Sequence, residues 1–149
     1  MKKTILKINT SFLLLIIAAV FLGACDRKQG PTKEEVAAIK GVMEQRAVAI
    51  KNKDLELYKT LFLSDYNDGK ANYELIIEEM AANFEQYESI EFTYQRSPVD
   101  LQMNSARMVG IISYKTNTME KPVSTQEITL FRRVNDKWYI SGGASVGLF

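Results

Sequence analysis

Histidine is missing from this chain, and cysteine occurs once in its 149 residues. The first absence removes the side chain most often used as a general base near neutral pH. The second rules out an intramolecular disulfide. Neither sign of charge dominates, with 19 basic residues against 18 acidic ones and a formal net charge of +1. A chain so balanced offers no electrostatic footprint for nucleic acid. Internal repeats and low-complexity tracts are lacking, and no apolar run reaches the roughly 20 residues that a helix needs to cross a bilayer. No metal and no cofactor are expected.

What is present begins with a leader. Lys2, Lys3 and Lys7 precede an apolar run from Phe12 to Leu22, two small residues follow, and then comes the lone Cys25. Basic start, short apolar centre and small residues read as a secretory signal rather than as part of a fold. Leu22-Gly23-Ala24-Cys25 resembles the lipobox of bacterial lipoproteins. The resemblance implies cleavage between Ala24 and Cys25, a diacylglyceryl group on the Cys25 sulfur and acylation of the new N-terminus. Two or three acyl chains suffice for stable anchoring, so the chain is expected in a bacterial cell envelope, held to a membrane through Cys25. Asp26 resembles the inner-membrane retention signal of enteric bacteria. The competing readings, a small buried hydrophobe or a cysteine within an uncleaved anchor, fit less well, because an unpaired thiol is a liability in an exported protein. The expected organisation is therefore residues 1–24 signal peptide, 25–31 lipidated tether containing Gly30-Pro31, and 32–149 a single domain. Without the three leader lysines, 16 basic residues face 18 acidic ones, a formal −2.

Helical periodicity fills the first half of that domain. Thr32 and Glu35 make a capping box, and Val36, Ile39, Met43, Ala47 and Ile50 recur at helical spacing, predicting an amphipathic helix from Lys33 to about Asn52. Asp54 caps a second, shorter helix with Leu55, Leu57, Tyr58, Leu61 and Phe62 on its apolar side, ending near Ser64-Asp65. Asn72 caps a third, whose stripe is Ile76, Met80, Phe84 and Tyr87. From Ser89 the period drops to two. Ile90, Phe92 and Tyr94 form one strand stopped near Ser97-Pro98, and Ala106 to Lys115 forms a longer inner strand whose two faces are both apolar near its centre, suggesting cover on both sides for part of its length. Val123 to Val134 then turns through Asn135-Asp136 into Trp138–Ser141, a tight antiparallel hairpin, and Gly142-Gly143 interrupts the edge.

The fold class expected is α+β: three N-terminal helices packed in a strongly curved antiparallel sheet of about four strands. Ala49 to Leu55, running on to Leu61-Phe62 and Asp65-Tyr66, resembles the first-to-second-helix signature of the nuclear transport factor 2-like superfamily. Leu130 to Ile140 is similar to its closing hairpin. The resemblance implies a cone in which a bent sheet wraps a long helix around a pocket. It says little about chemistry, since that superfamily holds isomerases, dehydratases, cyclases and plain binding domains. Its dehydratase and cyclase branches rely on histidine, absent here. Its isomerase branch uses an aspartate base with a tyrosine and a protonated acid, and no position here matches that pattern.

The candidate pocket residues are Tyr58, Tyr66, Tyr94, Tyr114, Glu127 and Trp138. The aromatics present an apolar body with a polar tip, and serve equally as ordinary core and rim residues. Glu127 is the one acid in mid-strand. It either points into a pocket, held protonated by desolvation, or faces solvent as a cross-strand partner of Lys115 or Arg107, which is the favoured alternative. Asp65 to Gly69 superficially resembles a calcium loop, but Gly69 falls one place early and Ile76 stands where a glutamate is needed, so a capping turn fits better. Arg132-Arg133 is a strand end with one arginine to each face. The function expected is a membrane-anchored envelope lipoprotein whose domain binds a small apolar ligand or an envelope protein, with pairing into a homodimer. The alternative is a lipid-anchored isomerase- or dehydratase-like enzyme using a carboxylate and a tyrosine.

Overall fold

A computed structural model describes residues 32–95 and 98–144. The leader, the cleavage site at Ala24, Cys25 and the tether lie outside the described residues. The first helix, α1, is Lys33–Asn52. The Thr32 hydroxyl accepts from the Glu35 amide at 3.1 Å and the Glu35 carboxylate accepts from the Thr32 amide, satisfying two donors that a helix start leaves without intrahelical partners. The helix ends where Lys53 turns left-handed at φ 55 and its amide reaches back to Ala49 and Ile50. Its buried face is Ile39, Val42, Met43, Arg46, Ala49 and Ile50, a stripe at helical spacing with one arginine in it.

The second helix, α2, is Leu55–Thr60, capped by Asp54. It stops short of the expected Ser64-Asp65, because the chain leaves the helix to pair with the sheet: Ile140 donates to the Leu61 carbonyl at 2.8 Å, and Leu63 donates to the Ile140 carbonyl at 3.0 Å. Those two bonds cover what would otherwise be an open sheet edge. Asp68 next closes a turn by accepting the Lys70 and Ala71 amides, and Asn72 caps the third helix, α3, Tyr73–Gln86.

Five strands follow among the described residues: β1 Ile90–Tyr94, β2 Val99–Gln102, β3 Ser105–Thr116, β4 Val123–Val134 and β5 Lys137–Gly142. All pairings are antiparallel, in the order β1-β3-β4-β5, and β2 pairs with β3 beyond the end of β1. The strand not foreseen is β2, where Val99-Asp100-Leu101-Gln102 alternates too briefly after Pro98 to be legible. Only one side of the inner strand β3 is covered. Ala106, Met108, Ile112 and Tyr114 are buried while Ile111 is 43 % exposed, so the two apolar faces do not mean two covered faces.

The β4–β5 turn runs through Asn135 and Asp136, both at positive φ, a geometry whose twist matches that of the flanking strands. The register then slips: Phe131 faces Ile140, but Leu130 faces Gly142, so Ser141 is an extra residue. Such a bulge bends the strand. The result is a strongly curled sheet, a half-barrel with the helices gathered on its concave side. One apolar core from α1, α2, α3 and the sheet fills the space between.

Candidate functional site

The inner face of β4 carries Glu127, Thr129 and Phe131, all nearly fully buried, whereas the more apolar Ile128 and Leu130 point outward and are 42 % and 40 % exposed. This inversion has a partner across the core. Arg46, on the buried stripe of α1, donates from Nη1 to Glu127 Oε1 at 2.6 Å and from Nη2 to Oε2 at 3.1 Å. Thr129 adds a third donor to Oε1 at 2.7 Å. The guanidinium carbon sits 5.0 Å from the centre of the Phe92 ring, and Nη2 also donates to the Ala144 carbonyl at 3.2 Å. Nε is the one buried side-chain nitrogen or oxygen in the described residues without a hydrogen-bond partner.

Isolated charges at such a depth cost many kilocalories, and only close pairing with further hydrogen bonds makes them tolerable. Burial pushes the Arg46 guanidinium down, but the attraction of Glu127, then of Tyr58, and hydrogen bonds to both hold it above the ordinary arginine value. Arg46 is therefore a fixed cation. Burial also raises the Tyr58 hydroxyl, partly offset by Arg46.

The favoured solvent-facing reading of Glu127 is corrected. Gly110 stands opposite it on β3, while Arg107 faces Leu130 and Lys115 faces Glu91. The carboxylate turns inward because a cation waits there. The other candidates divide into groups. Tyr58 joins the charged cluster and packs its ring at a tilt against Phe62, whose ring lies edge-on to Tyr66, with centroids 4.8 Å and 5.6 Å apart. The Tyr66 hydroxyl accepts from the Ala144 amide at 3.1 Å and donates to Asp68 at 3.0 Å. Arg46 and Tyr66 thus grip the two polar groups of one peptide residue. Tyr94, half-buried, donates to the Lys40 carbonyl at 3.3 Å; Tyr114 stands opposite Phe92 in the β1–β3 register, and Trp138 is buried on β5. None of the six lines the shallow, open depression of about 280 Å³ on β2, β3 and β4, bordered by Asp100, Gln102, Arg107, Leu130 and Arg132. Asp65 lies outside the core, an exposed partner of Arg132.

Arg46 is the residue that sequence reasoning missed. Its signal was positional: counting from Met43 and Ile50, it falls three residues after the first and four before the second, on the stripe that the helix buries. Among the described residues no group of three or more carboxylates or thiols is placed to hold a metal ion.

This architecture is the nuclear transport factor 2-like, or cystatin-like, cone. No protein-family model and no curated protein sequence matches the chain. Among solved structures it is similar to Bd1075 of Bdellovibrio bacteriovorus, with a TM-score of 0.65 at 14 % identity, over 73 % of this chain and 39 % of that one. The chain thus spans well under half the length of Bd1075. It is also similar to a cystatin-like fold protein of Nostoc punctiforme, with a TM-score of 0.65 at 15 % identity over 81 % of this chain and all of that one. A dehydratase-like member of the nuclear transport factor 2-like family from Streptomyces avermitilis gives 0.62 at 14 % identity over 74 % and 94 %. Identities this low speak for the fold alone.

Proposed function

We propose that this chain is a lipid-anchored lipoprotein of a bacterial cell envelope whose cone domain is a non-catalytic binding module for a small apolar ligand or an envelope protein. One observation carries the reading. Both oxygens of Glu127, the carboxylate inside the cone, are occupied by Arg46, with Thr129 adding a further bond. A base so engaged must first break a buried ion pair before it can take a proton. Attachment is assigned to the lipid on Cys25 by the lipobox-like Leu22-Gly23-Ala24-Cys25 that ends the basic and apolar leader. The apolar strip of Ile111, Ile128 and Leu130 on the outer sheet face supports a protein partner or a second copy as the bound species.

Two experiments test this. Full-length protein expressed in bacteria should sediment with membranes, its N-terminal peptide should carry a diacylglyceryl group by mass spectrometry, and Cys25→Ala should release it. Native protein found soluble and unmodified overturns the anchor. For the domain, Glu127→Gln separates binding from catalysis: loss of a turnover, measured on protein shown to remain folded, would establish the enzymatic alternative in which Glu127 acts with Tyr58.

A further inference from the structure

Met103 is the most exposed large apolar residue of the described chain, at 89 %, and it stands at the tip of the β2–β3 hairpin between the paired Gln102 and Ser105. Its φ is 41, a left-handed conformation that glycine or asparagine adopts more readily than methionine. Turn chemistry and solvent both argue for another residue there. A protruding methionine, flexible and polarizable, is suited to an irregular apolar surface.

The position of the tip in the fold suggests which surface. The Asn104 carbonyl accepts from the Arg133 amide at 2.8 Å, and the Arg133 guanidinium donates to Glu35, in the first turn of α1, at 3.3 Å. The hairpin tip, the end of β4 and the start of α1 therefore share one end of the domain. Val134, 36 % exposed, and the exposed Lys33 and Lys137 lie at that end too. The opposite end holds Lys53, which donates to the Tyr87 carbonyl, and the pairing of Asn117 with Ser89.

Chain length then decides between the two ends. From Cys25 to Thr32 the backbone spans seven residues, which reach at most roughly 25 Å when fully extended. The 20-residue α1 is about 30 Å long. With the Cys25 acyl chains in a bilayer, the tether is too short to bring the far end of α1 down to the lipid with the helix upright, while the near end is within easy reach.

We propose that the end of the domain bearing Met103 rests on the lipid surface that holds Cys25, with Met103 as its apolar contact. This deepens the lipoprotein reading and rests on it. It fixes the domain upright, so that the outer sheet face and the far end remain open to partners.

The test uses full-length lipidated protein reconstituted into vesicles of equal parts phosphatidylethanolamine and phosphatidylglycerol. Cys25 is acylated, so Met103→Cys supplies one free thiol for an environment-sensitive fluorophore, and Glu120→Cys in the far β3–β4 turn supplies the control. The label at 103 should shift to shorter wavelength and be quenched by spin-labelled lipid, while the label at 120 does neither. Protein that floats with the vesicles but keeps a water-like label at 103 overturns the docking and leaves the anchor standing. Protein that fails to float overturns the anchor, and this proposal with it. A shift at 103 that appears without vesicles and fades on dilution assigns the tip to a second copy instead, and likewise overturns it. Met103→Gly suits the turn and should fold and float as before, yet lose the vesicle-dependent protection of residues 133–137 from hydrogen exchange.

Discussion

Arg46 and Glu127 are separated by 81 positions and joined at a fully buried contact, so each is intelligible only through the other. Truncating one leaves an uncompensated charge in the core, and such losses cost about 3–5 kcal/mol. Glu127→Gln should lower the urea midpoint accordingly. The double variant Arg46→Met with Glu127→Leu should recover most of the loss, because replacing both charges by apolar groups of similar volume is often neutral. The pair also marks where sequence reading stops. Glu127 stood out as an acid in mid-strand, but the sign of its surroundings depended on which face of β4 turned inward. Judged by hydropathy alone that choice goes to Ile128 and Leu130, and the partner that reverses it lies on another element. Asp65 behaves differently, being exposed. The hydrogen bond from Arg132, and then its charge, hold the carboxyl below its ordinary 3.8. A depressed folded value adds stability above the unfolded pKa and forfeits it as pH falls through the folded one. Asp65→Asn should thus flatten part of the acid limb of a stability profile below about pH 4, with only a slight change at neutral pH.

The elements were the most legible level, since caps and periodicity are local. Thr32 with Glu35, Asp54 and Asn72 mark the three helix starts among the described residues, and Asn135-Asp136 marks the closing hairpin. The errors fell where distant chain intervenes. The second helix ends early because Leu61 to Leu63 bond to Ile140, and β2 exists because β3 extends far enough to pair it. Gly142-Gly143, read as a break in the edge, proves more specific. Gly143 has φ 76, and a side-chain carbon there would lie 1.9 Å from the Ile128 carbonyl oxygen. Gly143→Ala should therefore destabilise by about 1–3 kcal/mol and loosen the grip of Arg46 and Tyr66 on Ala144, seen as faster exchange of the Ala144 amide. Met103→Gly should act in the opposite sense, raising the melting temperature by relieving a turn that methionine fits poorly.

For the whole molecule, the fold class followed from the order of helices and strands, and its curvature from a feature no periodicity carries, the bulge at Ser141. The outer sheet face is where the domain can associate without disturbing its interior. Ile128→Lys should leave folding stability within about 0.5 kcal/mol of the parent, because the side chain already meets water. If a second copy covers that strip, the same change should turn a dimer into a monomer in sedimentation analysis; an unchanged association state would remove this face from consideration.

The buried arginine carries a consequence for the order in which the molecule is assembled. A chain that emerges N-terminus first from any narrow passage presents α1 early, while the groups that satisfy Arg46, Glu127 and Ala144, follow 81 and 98 residues later. Until they arrive, burying that face of the helix would strand a charge, so water holds the core open. Completion waits on β4 and on Ala144 beyond β5, and the fold closes only when both are out.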